Sequence, residues 1–237
     1  VVETNFQGFV KSRADVRIVP SKALREKMPS SLDIRIIPNP ILPPATSTTL
    51  RDELGLKDKF VYGRVGRAES DVYSPINLRA YKQVENSSTC FLYVSPNRAA
   101  RQEVASLGIK NIIFLNATLD EVELSKIYNT CDVVCHSNAL GETFGNTIAE
   151  AMMHGKPVIS HRGSPQYSQA QSELLGDLSA RLFVGLDVGA YARAMRDLQN
   201  DEVRLEASRY VRERAQSLFD YQTVAREYAR LYRSLLK

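Results

Sequence analysis

CDVVCHSNALGETFGNTIAEAMMHGKPVIS, residues 131–160, is the stretch on which the fold turns. CDVVCHS (131–137) is a nearly unbroken apolar run that reads as a strand. The segment around Glu150 reads as a helix beginning near Phe144–Gly145, and PVIS (157–160) reads as the next strand. The connections are short. Strands that are apolar throughout, rather than alternating, are buried on both faces. That is the signature of a parallel sheet covered by helices on each side.

The same unit recurs outward. FVYGRV (60–65), CFLYVS (90–95) and NIIFLN (111–116) read as further strands, and SARLFVG (179–185) as the last one. Between them, SPINLRAYKQVE reads as a helix with Ser74 as N-cap and Pro75 at the first helical position. NRAARQEVASLG carries Ala100, Val104 and Leu107 at helical spacing and stops at Gly108. TLDEVELSKIYNT is expected to be capped by Thr118, with acidic residues in its first turn as the macrodipole favours. Right-handed crossovers then predict a doubly wound parallel sheet, a Rossmann-like α/β domain over residues 45–218.

The ends differ. VRIV (16–19) and IRII (34–37) read as strands around a helix, SKALREKM, and PNPILPPATST (38–48) reads as a linker or rigid crossing segment. Tyr221, Val224, Ala225, Tyr228, Leu231, Tyr232 and Leu235 form one helical stripe, so a helix over 219–237 is expected to pack against something.

Composition narrows the function classes. Hydrophobic and charged contents of 43% and 24% are those of an ordinary globular protein, which leaves no case for disorder. The net charge of +4 comes from Lys and Arg interspersed with Asp and Glu. Without a basic block interleaved with aromatics, nucleic-acid binding is disfavoured. Weak attraction to an anionic ligand or a membrane surface is allowed. Cys90, Cys131 and Cys135 lie in apolar runs with no Cys-x-x-Cys pair, which argues for reduced thiols and a cytoplasmic compartment. Cys131, Cys135 and His136 read as core residues rather than metal ligands, because positions 131 and 136 face opposite sides of a strand. No run reaches the length of a membrane span and no signal peptide is visible. The opening VVETNFQGF, without an initial Met, reads as the middle of a longer chain.

The chemistry gathers beyond the end of the 131–137 strand. Ligands of doubly wound sheets bind at the carboxyl ends of the strands. NALGETFG lies there, followed by a helix whose first backbone N–H groups have no internal partner and carry positive partial charge. Gly145 removes a Cβ where a ligand would approach. Together these form an anion cradle suited to phosphate. Glu142 precedes the cradle, and Asn146 and Glu150, four apart, share a helix face. Carboxylates accept hydrogen bonds from sugar hydroxyls. One glutamate on each side of the cradle would hold a sugar on one side and a ribose on the other. The plainer alternative makes Glu142 a solvated loop residue and pairs Glu150 with Lys156 or leaves it exposed. The combination of loop glutamate, Phe-Gly turn, helix glutamate and Gly-Lys-Pro-Val favours the site. Ser137 would touch the phosphate or cap locally. His136, His154 and His161 read as structural or exposed.

This stretch resembles the Glu-x7-Glu signature of the GT-B glycosyltransferases, in particular the retaining family 4. The pattern E-x-F-G-x-x-x-x-E-A-x-A-x-G-x-P-V is matched by Glu142, Phe144, Gly145, Glu150, Ala151, Gly155, Pro157 and Val158. IIPNPI (36–41) resembles the segment linking the two GT-B domains, RIVPSKALREKM the strand and helix before that link, and VVETNFQGF a segment of the amino-terminal domain. The resemblance therefore spans nearly the whole chain. It implies a nucleotide-sugar-binding half over 45–218, the tail end of an acceptor domain and linker over 1–44, and a crossing helix over 219–237, with most of the acceptor domain missing.

Carried over residue by residue, the resemblance gives Glu142 the donor-sugar hydroxyls and Glu150 the ribose. Thr143, Phe144, Gly145 and Asn146 supply the turn whose N–H groups meet sugar and phosphate. Asn116, at a strand end where the family holds the base, would bond the base or simply end its strand. A second family element is Gly-Arg followed about five residues later by Lys, both cations stabilising the leaving diphosphate. Gly66 and Arg67 fit it, with Gly63 and Arg64 as a second register. In the first register the lysine position falls on Val72, so one cation is missing. Such a cation stabilises charge developing on the leaving group. The implied function is transfer of a sugar, with retention, from a nucleotide-diphosphate donor to a glycan, lipid or small-molecule acceptor. No metal and no other cofactor is implied. The alternative is a degenerate, non-catalytic nucleotide-sugar-binding module.

Overall fold

Six of the apolar runs pair into one parallel sheet in a computed structural model that describes residues 2–4 and 14–236. In chain order the elements are β1 (Val2–Thr4), β2 (Val16–Val19), α1 (Lys22–Arg25), β3 (Ile34–Ile36), β4 (Phe60–Arg64), α2 (Ile76–Lys82) and β5 (Thr89–Val94). Then come α3 (Arg98–Leu107), β6 (Ile112–Leu115), α4 (Glu121–Thr130), β7 (Val133–Cys135), α5 (Asn146–Met153) and β8 (Val158–His161). The chain continues through α6 (Ala170–Leu175), α7 (Ser179–Leu182), β9 (Phe183–Val184), α8 (Val188–Asp197), α9 (Asp201–Leu218) and α10 (Tyr221–Leu235).

The large sheet runs β6-β5-β4-β7-β8-β9, every neighbouring pair parallel. The order reverses between β4 and β7. That is the topological switch point of a doubly wound sheet, and it opens a crevice beyond the carboxyl ends of those two strands. The continuous apolar runs are buried because helices cover both faces. Every residue of β5 and β7 is buried, whereas the edge strand β6 is half-buried throughout. Leu92 and Phe91 are wholly enclosed, each contributing about 1.5–3 kcal/mol over an exposed position. Gly63 in β4 allows close approach of the chain entering β7: a Cβ there would lie 2.2 Å from the Sγ of Cys131.

A second sheet, β1-β2-β3, is also parallel. Val16, Ile18 and Ile37 form a small core with Val224 and Leu231 of α10. The expected α10 stripe is thus narrower than its sequence suggests. Tyr221, Ala225, Tyr232 and Leu235 are exposed, because the three-stranded sheet covers only one line of the helix. The proline-rich segment is an extended tie, with Ile41 N–H donating to the Phe219 carbonyl at 2.7 Å and Tyr221 N–H to the Ile41 carbonyl at 3.2 Å.

Some local expectations shift. Ser74 makes no cap bond and Pro75 itself takes the N-cap position of α2. Asp120, not Thr118, caps α4, its carboxylate accepting from Glu123 N–H at 2.9 Å. Thr118 instead accepts from Asp120 N–H at 3.0 Å, two residues too early to cap. SARLFVG divides into the helix α7 and the two-residue strand β9. Only Phe183 and Val184 reach the sheet edge, pairing with Ser160 and His161. Gly108 ends α3 in the left-handed conformation, as glycine favours. The VVETNFQGF reading falls largely outside the described residues.

Candidate functional site

The crevice at the switch point holds about 460 Å³. Arg64–Arg67 enter it from the end of β4, His136–Asn138 from the end of β7, and Glu142–Thr147 from the turn into α5, with Val72 and Asn39 completing the lining. The turn depends on Gly145, the residue before the helix, whose φ of 102° lies in the left-handed region. Its carbonyl accepts from Ile148 N–H and Ala149 N–H. Among the described residues nothing accepts from the N–H groups of Gly145, Asn146 or Thr147, which leaves the positive end of α5 open to the crevice. Phe144 anchors the turn from behind: it is 3% exposed and meets Phe219 edge-on, ring centroids 5.4 Å apart. Thr143 is tied to the small sheet's side by its carbonyl, which accepts from Ser21 Oγ at 2.6 Å.

The two arginines have different situations. Arg64 is buried, with its guanidinium 5.0 Å from the ring centre of Tyr93. It donates to the Val94 carbonyl at 3.3 Å and to the Arg67 carbonyl at 2.9 Å. Burial lowers its pKa, against the neighbouring Tyr93 and Glu69 charges. Gly66 lies over this guanidinium, close enough that a Cβ would meet it at 3.1 Å. Arg64 therefore props the loop, and Arg67 extends from it with its side chain 66% exposed and Glu69 at 3.9 Å. Val72 is buried in the crevice wall where the resemblance would put a lysine.

Glu142 is not a free loop carboxylate. Its Oε1 accepts from His136 Nε2 at 3.0 Å and from Asn138 Nδ2 at 2.9 Å. Burial alone would raise its pKa, but the His136 and Asn138 bonds and the Arg67 charge outweigh it, so the carboxyl sits below its ordinary value. Ser137 Oγ is buried in the crevice lining with no partner among the described residues. Asn146 is exposed, its Oδ1 accepting from Asn39 Nδ2 at 2.8 Å.

Glu150 lies in a second cleft, of about 210 Å³, with Tyr128, His154, Ser125 and the linker residues Pro40–Pro43. The helix α5 thus presents Asn146 and Thr147 to one cleft and Glu150 and His154 to the other. Tyr128 donates to Glu150 Oε2 at 2.7 Å, while Lys156 donates instead to the Asn129 carbonyl. Burial raises the Glu150 pKa, and the tyrosine bond only partly offsets it. Asn116 is exposed and lines neither cleft.

The sequence-predicted residues Gly66, Arg67, Ser137, Thr143, Phe144, Gly145, Asn146 and Glu142 meet in the first cleft, Glu150 lines its neighbour, and Asn116 stands apart. Sequence reasoning missed His136, Asn138, Tyr128 and Asn39. Tyr128 lies 22 positions before its partner Glu150 and Asn39 107 before its partner Asn146, so neither leaves a local signal. His136 and Asn138 lie six and four residues before Glu142, within reach of a returning loop.

Comparison with known proteins agrees with this architecture. Residues 61–201 match the family described as "Glycosyl transferases group 1". A D-inositol 3-phosphate glycosyltransferase from Corynebacterium urealyticum is 31% identical over 131 residues, which is 54% of this chain and 29% of that protein. HepE from Anabaena, solved in complex with UDP and glucose, superposes with a TM-score of 0.78 at 20% identity, over 93% of this chain and 63% of that one. A Rickettsia africae glycosyltransferase gives 0.77 at 14% identity, over 94% and 64% of the two chains. WaaG, a glycosyltransferase of lipopolysaccharide biosynthesis, gives 0.73 at 14%, over 89% and 61%. The chain thus spans less than two thirds of the solved chains and under a third of the curated relative. Its fold is the Rossmann-like half of the GT-B glycosyltransferases, and the chain belongs to the group 1 glycosyl transferase family.

Proposed function

We propose that this chain is the donor-binding half of a retaining glycosyltransferase that takes its sugar from a nucleoside diphosphate. The observation that carries the reading is the convergence, in one cleft, of the open amino end of α5, the exposed cation of Arg67 and the Glu142 carboxylate. A diphosphate needs N–H donors and positive charge, and sugar hydroxyls need a fixed acceptor. Arg67 and the Gly145–Thr147 amides stabilise the departing diphosphate in this reading, without a metal. Glu142 holds the donor sugar, Glu150 in the adjoining cleft holds the ribose, Ser137 Oγ meets a phosphate oxygen, and Asn116 marks the side of the base. The UDP and glucose bound by HepE support a uridine donor.

The acceptor is a glycan, lipid or small molecule, met largely by the remaining length that the relatives possess. Residues 1–44 belong to that acceptor side, with 45–218 as the donor unit and 219–237 as the helix crossing back. A cytoplasmic setting fits three buried free thiols, and peripheral contact with a membrane surface belongs to the same reading through the net charge of +4. No helix among the described residues is long and apolar enough to cross a membrane.

Titration calorimetry with UDP, GDP and ADP sugars tests the reading. Binding of one class, weakened about tenfold on Arg67→Ala, is expected, and no binding by any overturns it. Val72 favours a second reading, a binding module without transfer, because among the described residues the cleft has no second exposed cation beside Arg67. A full-length enzyme that is inactive with its best-bound donor and recovers on Val72→Lys would establish that second reading.

A further inference from the structure

We propose that His136 is a positioning residue that turns Glu142 so that its second carboxylate oxygen faces the donor sugar. The inference rests on the donor-site reading above and deepens it. Both protein donors to this carboxylate, His136 Nε2 and Asn138 Nδ2, reach the same atom, Oε1. Among the described residues nothing donates to Oε2, although the side chain is only 22% exposed and lines the cleft. Two donors on one oxygen fix the plane of the carboxylate and leave the other oxygen for a ligand hydroxyl.

The imidazole is itself held. It is buried at the carboxyl end of β7, and its Nδ1 lies 2.9 Å from Ser160 Oγ on the neighbouring strand β8. Tyr191 of α8 reaches the His136 carbonyl at 2.9 Å and the Ile159 carbonyl at 3.0 Å, locking the two strand ends together. An ionised carboxylate only accepts, so His136 must carry a proton on Nε2. Ser160, able to donate or accept, then completes Nδ1 in either charge state. The chain Ser160–His136–Glu142 thus transmits the rigidity of two buried strands to a loop side chain. Such support from behind is what holds a binding group within the tolerance its ligand needs.

The test separates this role from the donor site itself. Affinities for UDP and for the tightest-binding of UDP-glucose, UDP-galactose and UDP-N-acetylglucosamine are measured by calorimetry on the unsubstituted chain, on His136→Ala and on His136→Gln. His136→Ala is expected to lower the ratio of sugar-nucleotide to UDP affinity by about tenfold, the size of one hydrogen bond to a charged group. UDP affinity is expected to fall by less than that of the sugar nucleotide, so the ratio is the readout. His136→Gln, which presents an amide N–H in place of Nε2–H, is expected to restore much of the ratio. Failure of the unsubstituted chain to bind UDP, GDP or ADP or any of their sugars overturns the donor-site reading and this inference with it; where GDP or ADP binds in place of UDP, the ratio is read with that nucleotide and its sugars. UDP binding with a ratio that survives His136→Ala overturns this inference alone. Should His136→Ala not fold, nitrogen NMR of the unsubstituted chain decides at pH 8. A proton on Nε2 supports the role, and a bare Nε2 with the proton on Nδ1 overturns it.

Discussion

Glu142 precedes α5 and Glu150 lies on it, yet Glu142 takes two N–H donors on one oxygen while Glu150, in a separate cleft, takes only the Tyr128 hydroxyl among the described residues. Their carboxyls are displaced in opposite directions from the ordinary glutamate value of 4.5, Glu142 downward and Glu150 upward. The consequences for stability have opposite signs. The depressed Glu142 contributes stability above 4.5 that is lost as pH falls through its lower folded value. Glu142→Gln is therefore expected to cost about 1–3 kcal/mol at pH 7, the range for hydrogen bonds to a charged group, with the gap closing in acid. The raised Glu150 carries a penalty that is absent well below 4.5 and grows as pH rises through its higher folded value. Glu150→Gln is expected to be more stable than the parent at pH 7 and equal to it near pH 3. Urea unfolding across this pH range reads both.

Gly145 combines a left-handed φ with tight neighbours. A Cβ there would meet Leu174 Cδ1 at 3.1 Å and Ile148 Cδ1 at 3.3 Å. Gly145→Ala is expected to destabilise by about 1–3 kcal/mol from backbone strain and to disturb the N–H groups that open onto the cleft. Thermal unfolding and UDP titration, run together, would show both losses. An unchanged melting temperature would refute the strain argument.

Arg64 and Arg67 are expected to separate stability from binding. Arg64→Met removes the donors to the Val94 and Arg67 carbonyls and leaves the Val94 carbonyl without that donor in a buried setting, a loss of about 1–3 kcal/mol. Arg67→Ala, at an exposed position, leaves stability within about 0.5 kcal/mol. It is expected to weaken UDP binding by about tenfold, the effect of one charge-assisted contact. Equal effects of the two substitutions on unfolding would contradict the assignment of roles.

Val72→Lys places an ammonium beside the open end of α5. The added cation is expected to tighten UDP binding severalfold, and the gain should shrink as salt is raised because part of it is screened charge attraction. A gain that ignores ionic strength would point to packing instead.

Much of the parallel sheet was legible because its strands are continuous apolar runs. Those runs place the ends of β4, β5, β7 and β8 to within a residue or two. β9 was not, since SARLFVG is equally apolar as a helix turn and only its last two residues pair. The caps at Ser74 and Thr118 failed for a related reason. A cap needs one backbone conformation as well as the right side chain, and Asp120 had that geometry. Within the site, the Phe-Gly turn and both glutamates announce themselves by spacing. Asn39 and Tyr128 do not, because their contacts to Asn146 and Glu150 join distant segments.

By itself the sequence determined the order of strands and helices from β4 to β8, the position of the Phe-Gly turn, and which residue types stand around it. These follow from local pattern: apolar run length, helical spacing and the conformations open to glycine. Only the tertiary structure decided that Arg64 is a buried prop and Arg67 the exposed cation, that the two glutamates face different clefts, and that His136 stands behind one of them. Those facts depend on which side chains the folded strands and linker bring within hydrogen-bonding distance, and burial and partnership exist only once the chain has closed on itself.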